Sequence, residues 1–250
     1  MKVTVLGSGG WIPTPKNETA CYMIESGDDL ILLDAGTGLS NLKHYHEALK
    51  NIDTIHIVLS HYHLDHIIGL SFLPLFFKDH TVRIYGPGEP AYPGGVRKIL
   101  NDFFSEPFFS SSVEELTDRI YFEDYTTGLL FSVGNVSFEA FKQVHAHVSC
   151  GLKIGSELYY ASDTTVLHET FERASDVKLL LHECWEIETG GDPFHSFLDD
   201  LIKKMPDELG VKIGLIHRNP RWNQQDMMKV REKIGNRNIE LIEDHQVIYL

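Results

Sequence analysis

Four side chains that can bind a metal lie within six positions of one another, in a segment flanked by apolar residues. The segment is VLSHYHLDHIIGL, residues 58–70, and it contains His61, His63, Asp65 and His66. Imidazole nitrogens and carboxylate oxygens are ligands that zinc and related divalent metals accept. Side chains two positions apart on an extended chain point the same way, so His61 and His63 could bind one ion. Asp65 and His66 come where the chain turns into a predicted helix, so we expect them to face a neighbouring position.

Three further candidate ligands end apolar, strand-like runs elsewhere in the chain. They are His145 after VSFEAFKQV, Asp163 after ELYYAS and His217 after VKIGLI. In α/β proteins, side chains beyond the carboxyl ends of strands converge where ligands bind. We therefore expect these three and the four of the first segment to form one site for two ions. Asp163, with its two carboxylate oxygens, would bridge the ions, and His145 and His217 would each complete one half.

Two divalent ions would create a small positive centre in an acidic protein. The chain has 22 basic and 36 acidic residues, so 22 − 36 gives a formal charge of −14. The two ions and two aspartates together would carry about +2, which attracts a small anion such as a phosphodiester. The ions would also lower the pKa of a bridging water and make hydroxide available near neutral pH. The acidic balance argues against long nucleic acids as partners, because they bind basic faces.

Each of the more distant candidates also has an ordinary structural explanation. His145 and His217, taken singly, could be buried or surface histidines without a ligand role. Asp163 could cap a helix, because SDTT precedes a predicted one. His147 competes with His145 for the same place in the site. His195 precedes an amphipathic helix and could be a capping or surface residue.

Strand-like and helix-like patterns alternate along the chain, and this alternation predicts an α/β protein. The predicted strands are 2–6, 30–34, 55–59, 82–85, 131–133, 136–144, 151–154, 157–161, 177–181, 211–216 and 246–249. The predicted helices are 39–50, 67–77, 95–104, 112–118, 166–174, 196–205 and 223–234. The runs VKLLLH and VKIGLIH are apolar almost throughout, so both faces of these strands should be covered. Mixed sheets with helices outside them, an α/β sandwich, are therefore expected.

Turn signals and composition indicate how these elements are joined. Gly134-Asn135 and Gly155-Ser156 each lie between apolar runs and predict β-hairpins. No linker-like or low-complexity tract divides the sequence, so we expect residues 1–250 to form a single domain.

The cysteines and the chain's apolar runs suggest a compartment. Cys21, Cys150 and Cys184 are far apart and form no CxxC pair, which is typical of reduced, buried cysteines in the cytoplasm. The start, MKVTVLGSGG, has no apolar segment of signal length. No apolar run is long enough to span a bilayer. We expect a cytoplasmic protein without a membrane partner.

The segment HYHLDH resembles the HxHxDH signature of metallo-β-lactamase-fold hydrolases, and the resemblance covers most of the chain. VTVLGSGGWIPTPKNETACYMIE and LILLDAGTG resemble the opening of ribonuclease Z and its relatives. YYASDTT resembles the bridging-aspartate segment, and IGLIHRNPRW the segment of the last ligand. The resemblance implies a four-layer αβ/βα sandwich of two mixed sheets with a dinuclear metal site.

The resemblance also assigns expected roles to individual residues. Asp34, in LLDAG, would support the metal site without binding the ions. The family's third histidine ligand lies six residues before a glycine, and 151 − 6 selects His145. His195 would aid the leaving group or bind its phosphate, and Glu183 would orient His195. Beside these implied roles, we expect Asp65 to orient the bridging hydroxide as well as to bind a metal.

The branch that the resemblance indicates contains phosphodiesterases: ribonuclease Z and the cyclic phosphodiesterase of phosphonate breakdown. Ribonuclease Z carries a long tRNA-binding arm, often between the third histidine and the bridging aspartate. Here that interval is only 163 − 145 = 18 residues. The expected activity is thus hydrolysis of a small or flexible phosphodiester, or a short nucleic acid, by a metal-bridging hydroxide.

Other activities and partners remain open from the sequence. The same metal pair could hydrolyse a thioester or lactone, because hydroxide attacks carbonyl carbon as readily as phosphorus. A non-catalytic metal-binding regulatory protein or an iron redox protein are further alternatives. Zinc is the first choice of metal, with manganese or iron as alternatives. Apolar residues around 68–77 or 103–109 could form a homodimer interface.

Overall fold

Two mixed β-sheets pack face to face in the computed structural model, which describes residues 1–110, 112–115 and 119–250. Within these residues each sheet has seven strands, in the orders β14-β1-β2-β3-β4-β5-β6 and β13-β12-β11-β10-β9-β8-β7. The strands of the first sheet are β1 Lys2–Gly7, β2 Cys21–Ser26, β3 Asp29–Leu33, β4 Thr54–Val58, β5 Thr81–Pro87, β6 Ile120–Tyr125 and β14 Val247–Tyr249. The strands of the second sheet are β7 Leu130–Val133, β8 Val136–Lys142, β9 Cys150–Ile154, β10 Leu158–Ala161, β11 Leu179–Glu183, β12 Lys212–Ile216 and β13 Ile239–Leu241.

Each sheet combines antiparallel pairs with parallel pairs. In the first sheet β14, β1, β2 and β3 pair antiparallel, and β3 to β6 pair parallel. In the second sheet β7 to β10 pair antiparallel, and β10 to β13 pair parallel. Strands β8, β10, β11 and β12 therefore run in the same direction. Their carboxyl ends meet at one edge, which is where a site is expected in such sheets.

Helices cover the outer face of each sheet. The α-helices are α1 His46–Leu49, α2 Leu64–Ile67, α3 Leu73–Phe76, α4 Gly95–Phe103, α5 His168–Ala174, α6 Leu198–Lys204 and α7 Gln224–Ile234. Short 3-10 helices lie at Thr37–His44, Ile68–Phe72 and Val113–Glu115. Helix α7 begins with a capping box, in which Asn223 accepts from the backbone of Asp226 and the Asp226 side chain accepts from the Asn223 backbone.

The apolar core has three layers, which confirms the predicted four-layer αβ/βα sandwich. A central layer between the sheets contains Tyr22 and Ile31 from the first sheet and Phe138 and Leu181 from the second. One outer layer packs the helices of the first half on its sheet, and the other packs α5, α6 and α7 on the second sheet. Burial on both faces explains the continuous apolar runs of β11 and β12.

Two predicted helices are wrong as single elements. The predicted helix 39–50 is a 3-10 helix followed by α1, with a break at Tyr45, whose φ of −125° is not helical. The predicted helix 67–77 is a chain of short turns. Gly69 lies so close to the loop after β3 that a Cβ there would come within 2.2 Å of the Gly36 oxygen. The Gly69 N–H donates to the Ala35 oxygen of that loop at 2.7 Å, so it is not available for a hydrogen bond within a regular helix.

The remaining differences concern short elements. Strands β2, β6 and β13 are absent from the predicted set. Of the predicted helix 112–118, residues 113–115 form a 3-10 turn and 116–118 lie outside the described residues. Both predicted hairpins are confirmed: β7 pairs with β8 and β9 with β10, each antiparallel.

Two further expectations concern burial and membranes. Cys21, Cys150 and Cys184 are buried free thiols. Across the part of the chain that the structure describes, each helix is too short or too polar to cross a bilayer.

Candidate metal centre

The structure gathers the seven candidate metal ligands into two adjoining groups. In each group, one ligand atom per residue lies within 4.8 Å of the others. The first group is His61, His63, His145 and Asp163, and the second group is Asp65, His66 and His217. The segments that supply them follow β4, β8, β10 and β12, so the edge inferred from strand ends is where the side chains meet.

In the first group, the imidazole nitrogens of three histidines converge. His63 Nδ1 lies 3.1 Å from His145 Nε2. His145 Nδ1 faces the Phe194 carbonyl oxygen at 3.2 Å and must carry the hydrogen there, which leaves a lone pair on Nε2. His61 Nε2 is buried with no hydrogen-bond partner among the described residues. An orphaned nitrogen beside a second nitrogen lone pair is a donor set that fits a divalent cation.

The second group repeats this convergence with a carboxylate added. His66 Nε2 lies 3.3 Å from His217 Nε2, and Asp65 Oδ2 lies 3.2 Å from the same His217 atom. His66 Nδ1 donates to Asp34, so in the neutral ring Nε2 presents a lone pair to the centre. Imidazole and carboxylate ligands together suit zinc, manganese or iron.

Asp163 lies between the two groups, with one carboxylate oxygen directed at each. Its Oδ1 lies 3.2 Å from both His66 Nε2 and His217 Nε2. Its Oδ2 lies 3.8 Å from His61 Nε2 and 3.7 Å from His145 Nε2. This is the arrangement a bridging carboxylate requires. Asp163 is not a helix cap, because α5 begins later, with Leu167 as its N-cap.

The protonation of the ligands follows from their surroundings. Burial lowers the pKa of His61, His63 and His145, so these imidazoles are neutral near pH 7 and can bind a cation. Burial alone would raise the pKa of Asp163, but the facing histidines outweigh burial and hold that pKa well below its usual value. For His66, burial lowers the pKa, and the facing carboxylates, Asp65 foremost, raise it by more. A cation at the second group would therefore displace a proton.

Asp34 orients His66 of the second group through a hydrogen bond to its Nδ1. Its carboxylate accepts hydrogen bonds from His66 Nδ1 at 2.8 Å, the Ser60 backbone at 2.6 Å, the Ser60 hydroxyl at 2.8 Å and the Tyr160 hydroxyl at 2.6 Å. Asp34 has φ of +54°, a conformation that costs an L-residue energy and is retained where the fold requires it. The supporting position expected for Asp34 is thus where the structure places it. Ser60 and Tyr160, which share the task, were not singled out from the sequence.

The N-terminal loop contacts Asp65 and His217 of the second group. The Trp11 backbone N–H donates to Asp65 Oδ2 at 2.7 Å. The His217 backbone, at φ +53°, donates to the Ser8 oxygen at 2.7 Å. A Cβ on Gly10 would come within 2.5 Å of the His217 ring, so only glycine fits against that ring. The residues of this loop act through backbone atoms, and the GSGG run at 7–10 was the one sequence signal that could have suggested them.

His195 adjoins both groups and is paired with a buried acid. His195 Nδ1 donates to Glu183 Oε2 at 3.0 Å, and the Thr164 backbone N–H donates to Glu183 Oε1. Burial raises the pKa of Glu183 to about 7. Burial lowers the pKa of His195, but the hydrogen bond to Glu183 more than offsets this and raises it to about 9. His195 can also join Asp163 and His217 in a third set of potential ligands.

His147, the competitor of His145, is outside these groups. Its ring is exposed and lies 5.8 Å, centre to centre, from the ring of His63. His145 makes the closer approach, at 4.8 Å between ring centres, with its Nε2 against His63.

A cleft of about 590 Å³ opens beside the metal centre. Trp185 lines it and also stacks on the rings of His195 and His217, at 5.0 and 5.7 Å between centres. Trp11 and Arg221 line it as well, with the guanidinium 5.6 Å from the Trp11 ring centre. The cleft is of the size that small-molecule sites have, and its lining combines aromatic rings with two basic and four acidic side chains.

Comparisons with known proteins agree with this geometry. The sequence profile of the family described as "Anti-Pycsar protein Apyc1" matches residues 1–248. Ribonuclease Z of Thermococcus gammatolerans is 31% identical over 283 residues, covering 94% of this chain and 89% of that protein. The metallo-β-lactamase fold protein YhfI from Bacillus subtilis superimposes with a TM-score of 0.77 at 21% identity, over 99% of this chain and 98% of that one. A diphosphatase of the PhnP family superimposes with a TM-score of 0.75 at 18% identity, over 100% and 97% of the two chains.

Two mixed sheets flanked by helices, with a His/Asp cluster at the strand ends, define a metallo-β-lactamase-fold hydrolase. The chain is a metallo-hydrolase of the ribonuclease Z and phosphodiesterase branch. Within that branch it belongs to the family of the anti-Pycsar protein Apyc1.

Proposed function

We propose that the chain hydrolyses a small phosphodiester at a dinuclear metal centre. The observation that carries this proposal is the placement of Asp163, whose two carboxylate oxygens face two separate groups of ligands. His61, His63 and His145 would hold one ion, Asp65, His66 and His217 the other, and Asp163 both. Zinc is the metal we expect, because histidine and carboxylate ligands suit it. When bound, the two ions would lower the pKa of a water and neutralise charge that develops on the phosphoryl oxygens.

The chain's own residues supply orientation and a proton. Asp65, fixed by the Trp11 backbone, would accept a hydrogen bond from the attacking water and aim it at phosphorus. As the bond from phosphorus to the leaving oxygen breaks, His195 would donate a proton to that oxygen from Nε2. Its other nitrogen is engaged by Glu183, which fixes the ring and favours the protonated form. The roles of His195 and Glu183 are those that the resemblance implies.

The shape of the region around the centre supports a small substrate. Between His145 and Asp163 the chain forms only β9, β10 and the turns that join them, with no projecting arm. The adjoining cleft of about 590 Å³ fits a small molecule. A formal charge of −14 disfavours a long nucleic acid.

A substrate panel on protein of known metal content tests the proposal. The panel contains a bis-aryl phosphate, cyclic nucleotides, a precursor tRNA, an acyl thioester and a lactone. We expect turnover of the small phosphodiesters and little or none of the others. Turnover of the carbonyl substrates alone would replace the proposal with a thioesterase or lactonase. Metal-loaded protein that is inert on the whole panel would indicate a non-catalytic metal-binding protein.

The proposed role of His195 needs a matched pair of variants. His195→Gln should lower kcat on a phosphodiester with a poor leaving group by about 10² or more, the usual scale of general acid catalysis. An aryl phosphate with a good leaving group needs less protonation and should lose much less. His147→Gln, a change of the same type at an exposed neighbouring histidine, should leave both rates unchanged. Equal losses on both substrates would exclude the proton-donor role.

A further inference from the structure

A second cavity lies away from the cleft beside the metal centre. It has a volume of about 750 Å³ and is bounded by the N-terminal loop, α7 and the segment before β14. Small-molecule sites have volumes in this range. Among the described residues, the side chains that line it include none of the seven candidate metal ligands. The kind of ligand that this cavity could bind therefore follows from its own lining residues.

The wall of this cavity contains a buried arginine that makes no ion pair with the described residues. Arg218 is only 6% exposed. Its Nη2 donates to Ser8 Oγ at 3.0 Å and its Nη1 contacts Met227 Sδ at 3.8 Å, while Nε has no partner among the described residues. The same residues give Arg218 no ion pair. A buried cation is costly unless an anion pairs with it, so this guanidinium is a candidate for binding one.

The neighbouring carboxylate Asp244 offsets part of the charge of Arg218 across Ser8 Oγ, but it makes no ion pair with Arg218. Asp244 accepts from the Ser8 backbone at 2.9 Å, from Ser8 Oγ at 2.7 Å, from Asn17 Nδ2 at 3.1 Å and from the Glu18 backbone at 2.7 Å. These bonds tie the N-terminal loop to the segment before β14. Arg218 is left facing the cavity with donors that Asp244 does not take.

The full lining has three cations, Arg218, Lys16 and Arg231, against two carboxylates, Asp244 and Glu243, and it also has apolar surface. Lys16 and Arg231 also line the cavity, and the lining carboxylate Glu243 is paired with Arg231 at 3.4 Å. Met228, 65% exposed on α7, offers apolar surface to an occupant. The cavity thus combines an excess of cations with a thioether-lined wall, within a protein whose formal charge is −14.

We propose that this cavity is a binding site for a small organic anion. The oxyanion group would bind at Arg218 and Lys16, and the apolar body would lie against Met228 and Trp222. Carboxylate, phosphate and sulfonate groups share the chemistry that a guanidinium binds. Binding here is independent of which bond the metal centre hydrolyses.

The cavity adjoins the metal centre, although none of the seven candidate ligands lines the cavity. Arg218 directly follows His217, and its backbone oxygen accepts from the Gly10 N–H at 3.0 Å. The loop that continues from Gly10 holds Asp65 through Trp11 on one side and supplies Lys16 to the cavity on the other. An occupant would therefore contact the loop that supports the second group of ligands.

Calorimetric titration of metal-loaded protein with naphthalene-2-sulfonate tests the proposal. The probe has an oxyanion and an apolar body, and a sulfonate is a weak metal ligand. We expect one site per chain. Lys16→Gln should weaken binding about three-fold, the scale of one exposed charge. Met228→Glu, which places a negative charge on the apolar wall, should weaken it about ten-fold.

Lys229→Gln is the matched control, because it removes the same charge from α7 at a residue that lines the other cleft. The Lys229→Gln variant should bind the probe with the same affinity as the unaltered protein. All three positions are exposed, so folding is not at risk. No binding up to about 10 mM probe, the weakest range worth calling specific, would overturn the proposal. The proposal would also be overturned if Met228→Glu left the affinity for the probe unchanged. It would be overturned as well if binding disappeared only when the metals were chelated.

Discussion

The two groups of candidate ligands use the same side-chain types but are held in different ways. In the second group, Asp65 accepts from the Trp11 backbone N–H, and His66 donates to the Asp34 carboxylate. The His217 ring lies against Gly10, and its Nδ1 has no hydrogen-bond partner among the described residues. These contacts come from the end of β3 in the first sheet and from the N-terminal loop.

The first group is held by neutral partners, whereas His66 of the second group is held by a carboxylate. His61 Nδ1 lies 3.0 Å from Ser60 Oγ, and His145 Nδ1 faces the Phe194 carbonyl oxygen at 3.2 Å. His63 is half-buried, and its Nδ1 contacts only His145 among the described residues. Partners that orient a metal-binding side chain raise metal affinity. We therefore expect the second group to bind its ion more tightly than the first.

Removing the shared ligand should have the largest effect. Asp163→Ala should cost at least one ion per chain and lower phosphodiester hydrolysis by about 10³ or more, because both groups lose a ligand and a negative charge. Metal analysis and steady-state kinetics measure this. Asp207→Ala, at an exposed position remote from the site, is the control and should change neither. Unchanged metal occupancy in Asp163→Ala would remove that residue from the site.

Weakening the support behind the second group should have the next largest effect. Asp34→Asn replaces an acceptor of four hydrogen bonds by a group that cannot accept them all, so His66 loses its orientation. Metal affinity at the second group should fall about 10–100-fold, and affinity at the first group, which Asp34 reaches only through Ser60 and His61, should fall less. Competition with a graded chelator measures the two affinities. Equal losses of metal affinity at both groups would mean that the hydrogen bonds to Asp34 do not distinguish them.

Crowding the His217 ring should give a smaller, still selective effect. A Cβ on Gly10 would come within 2.5 Å of that ring, so Gly10→Ala must displace one of them. We expect about a ten-fold loss of affinity at the second group. Gly210→Ala is the matched control, because a Cβ there meets nothing within 4 Å. If the two variants retain their ions equally, the loop does not support His217.

The smallest expected effect comes from one hydroxyl in the support. Tyr160→Phe removes the donor that binds Asp34 at 2.6 Å and contacts Ser162 Oγ at 3.2 Å, while Asp34 keeps its other partners. The free energy of unfolding should fall by about 1 kcal/mol. Metal affinity at the second group should fall less than in Asp34→Asn. Denaturant unfolding of the metal-loaded protein measures the first quantity. A larger loss of affinity than in Asp34→Asn would contradict this order.

Much of the fold and of the ligand set could be predicted from residue types and their positions. His145, Asp163 and His217 were predicted because each ends an apolar run, and the strands so marked do run in the same direction. Helices 39–50 and 67–77 were predicted as regular, because the contacts that break them are tertiary. The close approach of Gly69 to the Gly36 oxygen leaves no local pattern.

The supports of the site could not be predicted for a related reason. Trp11 acts through its backbone N–H and Gly10 through the absence of a side chain, so residue type carries little information about either role. The role inferred for Arg218 could not be predicted from the sequence either. Its burial and its lack of an ion pair among the described residues are visible only in three dimensions.

Anomalous diffraction from crystals of the metal-loaded protein, recorded at the absorption edge of the bound metal, tests the central claim most directly. Two ions per chain are expected, one among His61, His63 and His145 and one among Asp65, His66 and His217. Asp163 should lie between them with an oxygen on each. Crystals that take up no metal at these positions after soaking, or that place an ion away from Asp163, would contradict the account.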